Sequence, residues 1–341
     1  MPDIRTEITE IVTGIGMTGA PSLDAGLAAR SASLQNVTAG HWDRLDEAHA
    51  ADTHAALFAT AFANGRAFLE SSDALRGRPP RIIEWKGPHN PPGYEAIPAD
   101  LRIDHVYLVS CKHQSNILAN SSPINLFDRR LADRAAGAGE PWYQMVSPVE
   151  YEHFYQCVRW FLGQARLARS VNLLTHSDLQ RIRAECRSRW PTQLREHWAE
   201  FSLAIATASA LRWRSQLPTL SRREEMLWRL LRLSPAPYFI MGDSAAGILR
   251  LRVATPWDWR RSFALEDFEI TATPAGQPRV DWSARVTNRA DDSHLRIDGH
   301  IEVRWAHGRF SSVEAKIYLD TPHSDVAGYF PLAPPLDVGG S

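Results

Sequence analysis

The hydrophobic residues of this 341-residue chain change their spacing from one region to the next. Residues 1–41 are mostly small, polar and weakly periodic, which predicts a loosely structured lead-in with one short strand at 8–12. Between 41 and 71 the apolar positions recur at helical spacing, which predicts helix. Three short apolar runs then predict strands, which lie at 81–85 (RIIEW), 100–103 and 105–111.

Helix-start signals dominate the middle of the chain. Ser122 and Ser147 each precede a proline, and capping boxes begin at Ser177 and Ser221. Together with the apolar spacing they predict five helices, at about 123–135, 148–168, 178–190, 192–213 and 222–232. Beyond Tyr238, short alternating runs are separated by Gly, Pro, Asn and Asp, which is typical of an antiparallel sheet.

These patterns predict an α+β protein with four consecutive parts. The parts are a lead-in (1–41), an α+β core (42–146), an Arg-rich helical segment (147–235) and an antiparallel β domain (236–341). No apolar run of about 18 residues occurs, and the N-terminus lacks the layout of a signal peptide. We therefore expect a cytoplasmic protein with no membrane partner.

The spacing of the cysteines and the distribution of charge limit which functions are expected. The three cysteines, Cys111, Cys157 and Cys186, fit neither a disulfide framework nor paired zinc-ligand spacing, which is in keeping with a reducing compartment. The net charge is −1, but 14 arginines and six acids lie between Arg159 and Arg232, so that this segment carries +8. Only three of the 38 basic residues are lysines, and each lysine is therefore of interest.

Each lysine follows a glutamate or serine by two residues, at the end of an apolar run. Residues i and i+2 of a strand share one face, so each pair would present a polar group beside an ammonium. Phosphodiester hydrolysis can use such groups, because carboxylates hold Mg²⁺ and a lysine can orient the attacking water. The three pairs are Glu84 and Lys86, Ser110 and Lys112, and Glu314 and Lys316.

The stretch from Gly65 to Lys112 resembles the PD-(D/E)xK nuclease superfamily, which has a restriction-endonuclease-like fold. In that family a helix bearing a glutamate leads into three strands, the second carries an aspartate, and the third ends in (D/E)xK; a further helix and strand complete the core. Here GRAFLE (65–70) is similar to the helix end and RIIEW to the first strand. Asp100 opens the second strand, and VYLVSCK (106–112) resembles the third. The predicted helix at 123–135 and the run 142–146 would supply the remainder.

The resemblance implies a mixed-sheet core and an endonuclease that cleaves DNA with Mg²⁺ or Mn²⁺, in a restriction or phage-defence setting. Asp100, Glu84 and Glu70 would hold the metal, and Lys112 would position the water. Ser110 stands where the family has Asp or Glu, so Glu84 would have to supply the missing carboxylate. A homodimer or a protein partner would be compatible with this function.

Nucleic-acid contact is expected from the Arg-rich helices. Arg181, Arg187 and Arg195, with Trp190 and Trp198 between them, could contact a phosphate backbone. The alternative is a solvated helix face with local ion pairs, such as Glu224 or Glu225 with Arg229. The sequence leaves both interpretations open.

Simpler interpretations exist for the other candidates as well. Glu70 could be a surface residue, Asp100 could bond to the local backbone, and Asp104 is a turn residue. Glu84 and Lys86 could form a surface pair, and Lys112 could extend to water. Asp298, Glu314 and Lys316 also fit the D…ExK pattern, but the alternation of Glu302 and Arg304 on the preceding run predicts cross-strand charge pairs on a hairpin.

Two further hypotheses compete with a nuclease. The first is a catalytically inactive nuclease-like scaffold that binds nucleic acid or a protein, which Ser110 favours. The second is a binding protein whose C-terminal β domain presents tryptophans to a ligand; these are Trp257, Trp259, Trp282 and Trp305. The glycines 14, 16 and 19 fit GxGxxG, but no second strand follows them, which argues against a dinucleotide site.

Overall fold

The computed structural model describes residues 3–87, 99–131, 141–163, 167–186, 189–274 and 276–335. Within these residues the chain is α+β, with one mixed sheet and one antiparallel sheet. None of the described helices is long and apolar enough to cross a membrane.

The strands of the described chain are β1 (Leu34–Gln35), β2 (Ile83–Trp85), β3 (Leu101–Ile103), β4 (Tyr107–His113), β5 (Ile117–Ser121), β6 (Tyr238–Ser244), β7 (Gly247–Val253), β8 (Phe263–Pro274), β9 (Pro278–Asn288), β10 (His294–Trp305), β11 (Val313–Leu319) and β12 (Tyr329–Pro331). The α-helices are α1 (Ile4–Glu7), α2 (Thr13–Met17), α3 (Leu23–Ala29), α4 (Ala39–Ala50), α5 (Ala55–Glu70), α6 (Pro123–Phe127), α7 (Trp142–Val146), α8 (Pro148–Phe161), α9 (His176–Glu185), α10 (Arg195–Ser215), α11 (Leu220–Leu230) and α12 (Pro256–Ser262).

Two compact units divide the chain, and neither is a single stretch of sequence. Unit 1 comprises Met1–Asn116, Arg232–Phe263 and Pro322–Ser341, and unit 2 comprises Ile117–Leu231 and Ala264–Thr321. The sequence pattern predicted consecutive parts instead. The strands after Tyr238 fall into both units, because β6 and β7 join the mixed sheet whereas β8 to β11 form the antiparallel sheet.

The mixed sheet of unit 1 has the order β1-β2-β3-β4-β6-β7-β12. Strands β2, β3 and β4 form an antiparallel meander, β6 lies parallel to β4, and β7 lies antiparallel to β6. Apolar side chains of one sheet face pack against the N-terminal helices and α5; Ile83, Leu101 and Phe239 belong to this core and are fully buried. Burial of this face, with its many apolar residues, is the main driving force for folding of the unit.

The N-terminal residues are helical, which corrects the predicted loose lead-in and its strand at 8–12. Helices α1 and α2 are joined by a π-helical segment, Ile8–Val12, and Ile8, Ile11 and Val12 are completely buried. The spacing of these apolar residues over so short a run could not separate helix from strand.

Gly16 of the GxGxxG match and Gly65 of α5 let α2 and α5 approach closely, and the match does not form a phosphate loop. A Cβ at Gly16 would lie 2.3 Å from the backbone oxygen of Phe62, and a Cβ at Gly65 would lie 2.1 Å from that of Thr13. The two glycines are therefore needed for helix packing.

Unit 2 combines helices α6 to α11 with an antiparallel sheet of order β5-β11-β10-β9-β8. Ser122 caps α6 as predicted, whereas Ser147 stands at the start of α8 without a side-chain capping bond; α6 ends at Phe127 and α8 at Phe161. The run 142–146, proposed as a strand of the nuclease core, is helix α7 and packs its Trp142 side chain into the interior. The remainder of the predicted helix at 123–135 extends into residues outside the described part.

Candidate active site

Asp100 and Lys112 lie together in unit 1, where β3 begins beside β4. The Oδ2 atom of Asp100 accepts hydrogen bonds from the backbone N–H of Cys111 (2.7 Å) and from the hydroxyl of Ser110 (3.2 Å). The backbone of Asp100 pairs with Val109 and Lys86 on the neighbouring strands. Because both its backbone and one carboxylate oxygen are held, Asp100 has a fixed orientation, and its charge acts on Lys112.

Glu10 is a second carboxylate at this place, and the sequence pattern did not single it out. It lies in the π-helical segment and accepts a hydrogen bond from Trp85 Nε1 at 2.6 Å. Burial, and next the charge of Asp100, raise the pKa of Glu10 to about 8, although Trp85 and Lys112 act in the opposite direction. Two carboxylates that repel each other and an ammonium thus share one partly buried region.

Lys112 is a positive group close enough to both acids for their charges to act on it. Burial lowers the pKa of its ammonium, and Arg232 lowers it further, whereas Asp100 raises it. Taken as a whole, the residue is partly buried. A cation in such surroundings can bind a phosphate or exchange a proton more readily than a surface lysine.

A close backbone approach fixes the strand that carries Lys112. Gly242 of β6 pairs with Lys112 of β4 in the parallel register, and a Cβ at Gly242 would lie 1.9 Å from the Lys112 carbonyl oxygen. Gly242 also has φ of +150°, a conformation that favours glycine. No larger residue fits there without moving β6 or β4.

Three further polar residues lie near Ser110 and Lys112, and all come from later parts of unit 1. Tyr238 is buried, its hydroxyl bonds to Ser110, and burial raises its pKa to about 12. Arg232 has a positive φ of 61°, and its buried Nε has no hydrogen-bond partner. Strained backbone and unpartnered buried donors are both features of ligand-binding sites.

His323 is buried, with 5% of its surface exposed, and its Nε2 also has no hydrogen-bond partner. Burial, and then the charge of Lys112, lower the pKa of His323 to about 4, so the imidazole is neutral at pH 7. Sequence reasoning missed Arg232, Tyr238 and His323 because each is more than 100 residues from Lys112 in the chain, and only the fold brings them to it.

Glu84 and Glu70, which the resemblance implied as metal ligands, make ion pairs instead. The buried carboxylate of Glu84 is bound by Arg102 Nη2 (2.7 Å) and by His105 Nδ1 (3.0 Å). Glu70 lies at the end of α5, is 44% exposed at its side chain, and pairs with Arg66 at 2.8 Å. Asp104 accepts bonds from the backbone N–H groups of residues 81 and 82 in the predicted turn.

The second carboxylate–lysine pattern lies on a hairpin of unit 2. Glu302 pairs with Lys316 and Arg304 with Glu314 across β10 and β11, and Arg304 Nε lies 2.9 Å from Glu314 Oε1. This arrangement confirms the cross-strand charge pairs that the alternation predicted.

The residues that were predicted to contact nucleic acid differ in how exposed they are. Arg181 and Arg195 are exposed, and Arg187 lies outside the described residues. Trp190 and Trp198 are buried in an aromatic cluster with Phe154, so they do not present rings to a base. Other arginines of this region hold unit 2 together; examples are Arg212 with Asp128, Arg223 with Asp267, and Arg229 with the carbonyl of Arg130.

The tryptophans proposed as a ligand surface are mostly core residues. Trp259 and Trp282 are almost completely buried, whereas Trp257 is 65% exposed and stacks with Arg261. They therefore form no common exposed surface.

Comparisons with protein-family models, with curated proteins and with solved structures found no match for this chain. What it does must accordingly be argued from the site itself.

Proposed function

We propose that this protein is a metal-dependent nuclease that hydrolyses phosphodiester bonds in DNA. The observation that carries this proposal is the convergence of Glu10 and Asp100 with Lys112. Two carboxylates beside an ammonium are the groups that metal-assisted phosphodiester hydrolysis needs. The Glu10 side chain thus takes the role that the sequence resemblance gave to Glu84.

The order of elements in unit 1 also supports the proposal. Helix α5 leads into the meander β2-β3-β4, Asp100 precedes the second of these strands, and Lys112 lies near the end of the third. Strand β6 then joins the sheet parallel to β4. This succession is similar to the strand order of the PD-(D/E)xK family, but where the family has a further helix before the last strand, this chain has residues 117–231, which belong to unit 2.

The donor set fits Mg²⁺ or Mn²⁺. Both ions prefer oxygen ligands, and Glu10 and Asp100 would hold one. The repulsion that raises the pKa of Glu10 would be removed by a cation bound to both carboxylates. Such an ion, when bound, polarises a phosphoryl oxygen and lowers the pKa of a bound water.

The protein's own groups would divide the remaining work. Ser110 and the backbone of Cys111 keep the Asp100 carboxylate in place. Lys112 would orient the attacking water or neutralise charge on the phosphate. The unpartnered Nε of Arg232 would donate a hydrogen bond to the bound nucleotide, and Nε2 of the neutral His323 ring would donate or accept one. Glu10 is in a π-helical segment, and such segments occur frequently at functional sites.

Contacts from the Arg-rich helices would be restricted to the phosphate backbone. Arg181 and Arg195 are exposed, but the neighbouring tryptophans are buried. Binding through arginine and phosphate carries no sequence information and weakens as salt increases. We therefore propose cleavage with little preference for sequence unless a partner protein adds it.

A plasmid-cleavage assay tests the proposal. Supercoiled plasmid and single-stranded DNA would be incubated with the wild type, with Asp100→Asn and with Lys112→Ala, in Mg²⁺, Mn²⁺ or EDTA. Cleavage that needs the metal and is lost in both variants is expected, while Lys316→Ala cleaves like the wild type. Cleavage that persists in both Asp100→Asn and Lys112→Ala would show that the active site is elsewhere.

A catalytically inactive scaffold is the second candidate, and Ser110 favours it. The Ser110 hydroxyl bonds to Asp100 and Tyr238, so the position that carries a metal-binding acid in the family serves a supporting role here. In that case the wild type would bind DNA in a salt-dependent way without cutting it under any metal condition.

A further inference from the structure

Two neighbouring helices of unit 2 bring a thiol and two imidazoles together. His153 and Cys157 lie one helical turn apart on α8, and His197 lies near the start of α10. The ligand atoms of the three side chains are all within 4.8 Å of one another, and Cys157 Sγ lies 3.8 Å from His153 Nε2. Residues four apart on a helix share one face, which is why a single ion could reach both His153 and Cys157.

One buried polar atom of this cluster lacks a partner, which favours a bound group there. His197 Nδ1 is buried and has no hydrogen-bond partner. The nearby Glu200 Oε2 lies 3.7 Å from it, too far for a hydrogen bond. A buried ring nitrogen without a partner is unfavourable, and coordination to a cation would relieve that cost.

We infer that His153, Cys157 and His197 form a zinc site, with the carboxylate of Glu200 as the fourth ligand. Zinc prefers thiolate and imidazole ligands in a tetrahedral arrangement, and Glu200 is close enough for its charge to act on the Cys157 thiol. Glu200 follows His197 by one helical turn, so each helix contributes two ligands. Paired ligands from facing helices are a usual way to build a metal site in a helical bundle.

The observed separations suit zinc after a small adjustment. Ligand–zinc distances of about 2.0–2.3 Å place tetrahedral ligand atoms roughly 3.3–3.8 Å apart. For His153, Cys157 and His197, closing the present separations requires a shift of about 1 Å, which side-chain rotation alone can supply. The Glu200 carboxylate lies outside this group of three and would have to turn further toward it. His153 and Glu200 are exposed and can rotate, whereas Cys157 and His197 are partly buried and are held by their helices.

The ion would cross-link α8 and α10 above the aromatic core of unit 2. Phe154 of α8 and Phe201 of α10 already stack, with ring centroids 5.2 Å apart and planes 3° from parallel. The role is therefore structural, and it is independent of the proposed nuclease site, whose oxygen ligands favour Mg²⁺ or Mn²⁺. Zinc binding would raise the stability of the folded protein by an amount that grows with the logarithm of the zinc concentration divided by Kd.

Metal titration of the untagged, full-length protein tests this inference. After removal of metals with EDTA, the protein would be titrated with Zn²⁺ by calorimetry and with Co²⁺ by absorption spectroscopy. We expect one equivalent of Zn²⁺ to bind and to raise the melting temperature. Co²⁺ should give a thiolate-to-metal charge-transfer band, because Cys157 is a ligand.

Variants assign the ligands. Cys157→Ser should remove the Co²⁺ charge-transfer band, and His197→Gln should lower Zn²⁺ affinity at least tenfold. The exposed Glu200→Gln, which is not expected to affect folding, should weaken binding severalfold. Cys186→Ala and Asp100→Asn are matched controls that should keep the band and the affinity, the second because its site is in unit 1.

Three results would each overturn the inference. The first is the absence of stoichiometric Zn²⁺ binding by the folded wild type. The second is Zn²⁺ affinity that stays unchanged in His197→Gln and Glu200→Gln. The third is a Co²⁺ complex of the wild type without a charge-transfer band; the second and third results would place the ion elsewhere.

Discussion

Two carboxylate–lysine arrangements, one in each unit, differ in a way that sequence motifs do not capture. The hairpin of unit 2 has the better match, because Glu314 and Lys316 give ExK after Asp298. Its charges nevertheless pair across strands at the surface. In unit 1 the motif is weaker, since Ser110 replaces the acid before Lys112, yet that lysine shares a partly buried region with Glu10 and Asp100.

Convergence and burial therefore distinguish the two places. The charge of a surface carboxylate beside a lysine is screened by solvent and balanced by its partner. Little driving force is then left for binding a metal ion or a phosphate. Where Glu10 and Asp100 are partly buried, each charge affects the pKa of its neighbours, and a cation or a phosphate can stabilise the group.

Glu10→Gln should have the largest effect of the variants considered, and the quantity affected is the rate of DNA cleavage. Gln keeps an oxygen that can accept the Trp85 bond but removes a metal-binding charge, so metal-dependent cleavage should fall at least a hundredfold, equivalent to about 2.7 kcal/mol. Plasmid cleavage at saturating Mg²⁺ measures this loss. Cleavage within a factor of about two of the wild type would remove Glu10 from the site.

The same variant should be more stable than the wild type without metal. The pKa of Glu10 is raised from 4.5 in the unfolded chain to about 8 in the folded protein, so the stability present below pH 4.5 declines as pH rises through 8. Gln removes that decline, and because Glu10 is only partly buried we expect a gain on the order of 2 kcal/mol at pH 8. Urea unfolding of both proteins in EDTA, at pH 4.5 and at pH 8, measures this gain. If the difference in stability between the variant and the wild type is the same at both pH values, the cause given is wrong.

Gly242→Ala should have the next largest effect, which is on stability. It acts through the backbone of the strands that carry the same site. The added Cβ would meet the Lys112 carbonyl oxygen at 1.9 Å, so β4 and β6 would have to separate. We expect a loss of about 2 kcal/mol in the free energy of unfolding. Gly40→Ala, whose Cβ would find no atom closer than 3.8 Å, is the control and should change stability by less than about 0.5 kcal/mol. Equal effects in both variants would mean that the strands do not approach closely at Lys112.

The variant Glu84→Gln tests whether Glu84 serves as an ion-pair partner or as a metal ligand. The change leaves Arg102 without its charged partner, and since Arg102 is partly exposed we expect a loss of about 1 kcal/mol in stability. Cleavage should remain within about threefold of the wild type. Glu70→Gln, at an exposed pair, is the matched control and should leave both quantities nearly unchanged. A hundredfold loss of cleavage in Glu84→Gln would restore its role as a ligand.

The hairpin of unit 2 should give the smallest effect. A double-mutant cycle with Arg304→Ala and Glu314→Ala should yield a coupling energy below about 1 kcal/mol, which decreases further at high salt. Thermal unfolding of the four proteins measures the coupling. A coupling of several kcal/mol would show that this pair is more than a surface ion pair.

The sequence by itself determined the local elements where a short pattern carries the signal. Ser122 and Ser147 each begin a helix, as their position before a proline predicts. The alternating runs after residue 238 are strands, and Asp104 forms the turn between β3 and β4. Such features depend on neighbours a few residues away, so a single sequence contains them. Asp100 and Lys112 could be proposed for the same reason, because they lie on adjacent strands.

Only the tertiary structure decided which distant residues meet. Glu10 is 90 residues before Asp100, and His323 is 211 residues after Lys112, so no local spacing relates them. The apolar residues around Glu10 fit helix and strand equally well, and packing against α5 selected a helix with a π-helical segment. The cysteine spacing concealed the cluster of His153, Cys157 and His197 in the same way, because the third side chain comes from another helix. Local propensity fixes elements, whereas burial and charge act between elements that only the folded chain brings together.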